Sequence, residues 1–122
     1  MQKPTKEFPG NTPAEAWKLY KADKSTIPPQ QVLEFITDCL TGMTPEGTTL
    51  DRKNLWGLTQ LTIALSTDHP TDFDRKSWGH VADLARQSRE LNKKKKSEAD
   101  YFLLFISVVA RLTATGAPER EA

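Results

Sequence analysis

Apolar residues recur along this chain at helical spacing, and the prolines fall between the recurrences. Val32, Phe35, Ile36, Cys39 and Leu40 occupy positions i, i+3, i+4, i+7 and i+8, one stripe of a helix that follows Pro28-Pro29 and ends at Gly42. Thr44 to Thr49 is rich in turn formers. A third helix is predicted from Leu50 to about Ser66, with Leu55, Leu58, Leu61, Thr62 and Leu65 on one face and Trp56 and Ile63 to the side, an apolar contact wide enough for the centre of a core. Thr67-Asp68-His69-Pro70 reads as a loop. A fourth helix is predicted from Phe73 to Leu91, its inner face formed by Trp78, Val81, Ala85, Ser88 and Leu91.

Two segments are fixed more by their ends than by their stripes. Thr12-Pro13-Ala14-Glu15 places a capping hydroxyl, a proline at the first helical position and a glutamate at the third, predicting a short helix to about Ala22. Ser97-Glu98-Ala99-Asp100 is a variant of the same box, and Thr115-Gly116 closes the helix it opens. The run from Phe102 to Val109 is apolar enough to read as a buried strand. The cap before it, the glycine after it and the lack of any partner strand favour helix. Leu61, Leu65, Phe102, Phe105, Ile106 and Val109 are the expected core of the two most apolar helices.

The pattern therefore predicts an all-α protein: a compact bundle of about five helices in one domain, residues 12–116, between a flexible N-terminal arm, residues 1–11, and a flexible tail, residues 117–122. One internal echo runs through it. Thr48-Thr49-Leu50-Asp51-Arg52-Lys53 and Thr71-Asp72-Phe73-Asp74-Arg75-Lys76 share a pattern, and Trp56-Gly57 and Trp78-Gly79 follow them. Two copies do not make a solenoid, and helix starts favour these residues on their own account, since Thr and Asp cap them and acids suit their dipole. The two glycines are positions where another helix could approach closely.

Composition narrows the function classes. A chain of 122 residues is long enough to bury one hydrophobic core without a covalent staple. Cys39 is the only cysteine, which leaves no internal disulfide and fits a reducing, cytoplasmic location. The N-terminal residues have no apolar stretch of the signal-peptide kind, and the apolar run from Tyr101 to Leu112 is too short to span a bilayer, so no membrane partner is expected.

No catalytic, metal or cofactor motif emerges. Cys39 lies on an apolar stripe, where a cysteine is usually a small buried hydrophobe, and the two histidines, His69 and His80, are not spaced as a helical metal pair. Asp68, Asp72 and Asp74 lack the glycine and terminal glutamate of a calcium loop. There is no glycine-rich phosphate loop and no nucleophile elbow. An enzyme would require a cleft assembled from residues distant in the chain.

Charge supplies the one local feature. The chain's total is +1, yet residues 86–96 hold six basic side chains, Arg86, Arg89, Lys93, Lys94, Lys95 and Lys96, against the single acid Glu90, six minus one giving +5. On a continuous helix Arg86, Arg89, Lys93 and Lys96 form one stripe, opposite Trp78, Val81 and Ala85. Such a run can be merely a solvated helix end, stabilised by the macrodipole. As a site it would face anions, with Arg52, Lys53, Arg75 and Lys76 at two helix starts as further candidates. The resulting expectation is a non-enzymatic interaction protein, regulatory, inhibitory or assembling, that binds a protein with an acidic surface through helix faces and the basic stripe. A nucleic-acid-binding protein using the same stripe is the alternative, disfavoured because no aromatic residue lies among the lysines to stack on bases.

Overall fold

The computed structural model describes residues 12–42, 51–91 and 99–119. It contains α1 (Pro13–Asp23), a single 3-10 turn (Lys24–Thr26), α2 (Pro29–Gly42), α3 (Arg52–Asp68), α4 (Arg75–Leu91) and α5 (Ala99–Gly116), with no strand among the described residues. The described residues form an all-α bundle of five helices.

The helix starts follow local chemistry. Thr12 Oγ1 accepts from the Glu15 amide at 3.2 Å, Asp51 Oδ1 from the Asn54 amide at 3.0 Å, and Asp74 Oδ1 from the Ser77 amide at 2.9 Å. The echo at the starts of α3 and α4 is thus a repeated aspartate cap, and because the aspartates cap, both helices begin at the arginine that follows, two residues later than the apolar pattern suggests. α3 also continues through Asp68, where the sequence reads as loop. The His69 amide bonds back to the Leu65 carbonyl at 2.8 Å and holds that last turn closed.

α3 is central, touching α1, α2 and α5. Leu55, Leu58, Leu61, Thr62 and Leu65 are all buried, and the hydroxyls of Thr59 and Thr62 donate to the Leu55 and Leu58 carbonyls one turn back, so neither polar group is left unmet in the core. α1 lies along α3 in the same direction. Its first turn meets the start of α3, where the Ala14 amide donates to Asn54 Oδ1 at 3.0 Å, and its far end meets the end of α3, where the Tyr20 hydroxyl donates to Asp68 at 2.8 Å. Gly57 makes this approach possible: a Cβ there would stand 2.6 Å from the Pro13 carbonyl oxygen and 2.8 Å from Ala14 Cα. Gly79, its counterpart in the echo, has nothing within 4 Å of that position and serves no close contact.

α4 and α5 form an antiparallel pair clamped at both ends. Arg89 near the end of α4 meets Asp100 at the start of α5, and Arg75 at the start of α4 donates to the Ala114 and Ala117 carbonyls at the end of α5. Beyond Gly116, where the sequence reads as a tail, the chain is docked as far as Glu119. Ala117 is buried, the Pro118 carbonyl accepts from the Arg75 amide at 2.8 Å, and Glu119 pairs with the Arg75 guanidinium at 2.6 Å. Ser88, buried on α4, donates to the Leu40 carbonyl at 2.8 Å and ties the end of α2 to this pair. Trp78 is fully buried, edge-on to Phe73, with its indole N–H on the Pro70 carbonyl.

The expected core holds at three of its six residues. Leu61, Leu65 and Ile106 are buried, and Phe102 and Val109 are half-buried. Phe105 is 48% exposed and belongs to the surface. The buried line of α5 is Leu103, Ile106, Ala110 and Ala114, because its alanines allow α3 and α4 to approach more closely than phenylalanine would.

Candidate functional site

Turning the alanine line of α5 inward leaves the larger apolar side chains outside. Tyr101, Leu104, Phe105, Val108 and Leu112 occupy i, i+3, i+4, i+7 and i+11, neighbours on one helix face, and all are exposed, Tyr101 to 76% and Leu112 to 66%. They form a strip about 16 Å long. A single exposed leucine is ordinary, whereas a contiguous apolar strip is a feature of sites that meet another surface.

A shallow groove of about 260 Å³ runs beside the strip between α4 and α5, lined by Ala82, Arg86, Ser107, Val108, Arg111 and Leu112. Two guanidiniums border it. Arg86 and Arg111 both reach the same oxygen of Asp83, each at 3.4 Å, and both remain largely exposed. One carboxylate between two arginines leaves a positive charge at the edge of the apolar strip.

The basic residues singled out from the sequence are dispersed in the fold. Arg89 is held by Asp100, Nε to Oδ1 at 2.8 Å and Nη2 to Oδ2 at 3.4 Å, and this hydrogen bond, partly opposed by desolvation, raises its pKa. Arg75 is occupied by the Ala114 and Ala117 carbonyls and Glu119, so its guanidinium anchors the chain end. Arg52 and Lys53 open α3 and Arg75 and Lys76 open α4, with the whole of α3, about 24 Å of helix, between them in the chain. Lys93, Lys94, Lys95 and Lys96 lie outside the described residues. Of the stripe's described residues Arg86 lines the groove beside the apolar strip, and Arg111, from a different helix, joins it there.

The strip itself is absent from the sequence reading, which assigns Phe105 to the core. A signal was available: α5 is apolar on nearly all sides, and a single helix pair cannot cover every side of such a helix. Of the tryptophans, Trp78 is buried and Trp17 is partly covered by Tyr20 and by the Lys21 ammonium 5.2 Å above its ring, whereas Trp56 is 53% exposed.

The titratable groups have structural partners. Burial, and then the nearby Asp38 charge, pushes the Cys39 thiol up to about 12, leaving it a protonated, poor nucleophile at neutral pH. His69 Nδ1 pairs with Asp72 at 2.8 Å, three residues along the same turn. Among the described residues no group of three His, Cys, Asp or Glu could hold a metal ion, and no helix is long and apolar enough to cross a membrane. Comparison with protein-family models, with characterised proteins and with solved structures gives no match.

Proposed function

We propose that this chain is a non-enzymatic interaction protein that docks another protein on the outer face of α5, in a regulatory, inhibitory or assembly role. The observation that carries the reading is the exposed strip of Tyr101, Leu104, Phe105, Val108 and Leu112. Aromatic and leucine side chains at the centre of a contact supply binding energy by leaving water, and charged groups at the rim orient the partner. Arg86 and Arg111 take the rim position, so the charge expected from the sequence enters as a border to an apolar surface.

The same observation weighs against nucleic acid as the partner, because a strip with leucine and valine at its centre offers phosphates nothing. The test is capture of partners by the full chain from nuclease-treated extract of the source cell, beside the Leu104→Ser, Leu112→Ser variant. The expected result is a nuclease-resistant protein partner that the variant loses while keeping its helical circular dichroism and its melting temperature. Retention of the partner by the variant overturns the reading. A ligand released by nuclease, with a log–log salt slope near −4 to −5 on duplex DNA, would replace it with phosphate binding.

A further inference from the structure

We propose that the partner of this face is an amphipathic helix of another protein, carrying Asp or Glu beside its apolar stripe, that lies along the groove between α4 and α5. The inference rests on the docking reading above and adds the shape and charge of what docks.

Shape comes from the periodicity of the strip. Its apolar residues recur over three helical turns in a straight line about 16 Å long, and the groove beside them runs between two antiparallel helices. A third helix set into such a groove meets it with residues at i, i+3 or i+4, and i+7, at the 8–10 Å spacing of ordinary helix packing. The groove is partly open to solvent, which suits leucine-sized side chains of a docked surface better than an enclosed small molecule.

Charge selects the partner's sequence. Arg86 and Arg111 border the groove and share one oxygen of Asp83, so a positive charge remains there. Among the described residues, Asp100 and Glu90 lie beside Arg89. A carboxylate arriving beside Arg86 and Arg111 meets cations, and an arriving lysine meets like charge.

Three occupants that this chain could itself supply fit the groove less well. Residues 1–11 carry Lys3 and Lys6 against Glu7, the wrong sign for the groove, and residues 43–50 contain Pro45 and Gly47, which break a helix. A second copy facing the first would set Arg86 and Arg111 against their own kind, with Asp83 already shared between two arginines.

The probe is a sixteen-residue helical peptide with leucines at i, i+3, i+7, i+10 and i+14 and glutamates beside them, compared by calorimetric titration of the full chain with a counterpart in which lysine replaces every glutamate. The glutamate peptide is expected to bind at least tenfold more tightly at low salt. The Arg86→Glu, Arg111→Glu variant should lose that preference, and the Leu104→Ser, Leu112→Ser variant should lose both peptides. Equal binding of the two peptides, or binding of neither, overturns the acidic-helix inference, while the capture experiment decides the docking face separately. A concentration-dependent dimer in sedimentation that Leu112→Ser abolishes would overturn it in favour of a second copy.

Discussion

The Tyr20 hydroxyl, on α1, donates to Asp68 Oδ2 at the end of α3 at 2.8 Å, and Lys24 reaches the same oxygen at 3.2 Å. The hydrogen bond from Tyr20 is the main reason the Asp68 carboxyl titrates below the usual carboxylate range, with Lys24 adding to it against some desolvation. Burial, and then the bond to Asp68 and its charge, pushes the tyrosine well above its ordinary value.

Tyr20→Phe should therefore cost about 1–2 kcal/mol at neutral pH. A depressed carboxyl contributes stability that is complete above its unfolded value and disappears as pH falls through the folded value, so the gap between wild type and variant should narrow below about pH 4. The raised tyrosine contributes stability that is present below about pH 10 and is lost as pH rises beyond it, a loss Tyr20→Phe should not show. Denaturant unfolding of both proteins from pH 2.5 to 11 measures the two limbs. Parallel curves throughout would contradict the pairing.

The two echoed glycines should respond with opposite signs to alanine. Gly57→Ala drives a methyl group into the Pro13 and Ala14 backbone and should destabilise by about 1–3 kcal/mol. Gly79→Ala meets open space inside α4 and should stabilise by about 0.5–1 kcal/mol, the ordinary gain of alanine over glycine in a helix. Thermal unfolding of the pair decides it, since changes of the same sign would mean that α1 does not rest on Gly57.

Leu61 and Phe105 separate core from surface. Leu61→Ala removes a fully buried side chain from the central helix and should cost about 2–5 kcal/mol. Phe105→Ala trims a side chain already half in water and should cost less than about 1 kcal/mol. A loss at Phe105 matching that at Leu61 would place the strip inside the core and remove the basis for docking there.

Cys39 should resist labelling by a thiol reagent at neutral pH in the native protein and react fully once the chain is unfolded, because burial and Asp38 keep the thiol protonated up to about pH 12. Cys39→Ser should leave docking unchanged and lower stability by about 1 kcal/mol, since a hydroxyl replaces a small apolar group packed against the core. Native labelling as fast as unfolded labelling would show an accessible thiolate.

The sequence by itself determined the helices and most of their inner faces. Capping residues, prolines and 3.6-residue periodicity are local signals, and at Thr12, Leu58, Leu61 and Trp78 they agree with the fold because propensity and burial point the same way there. It could not choose the buried side of α5. With leucine, phenylalanine, valine and alanine around most of its circumference, that helix has no phase to read, and its rotation is set by contacts distant in the chain: Arg89 with Asp100 at one end, Arg75 with the Ala114 and Ala117 carbonyls at the other, and alanines thin enough for α3 and α4 to pack closely between them. The same long-range geometry separated Gly57 from Gly79, withdrew Arg75 and Arg89 into structural pairs, and brought Arg111 beside Arg86. Charge counted along the chain records how many cations there are, and only the tertiary structure decides which of them already have a carboxylate.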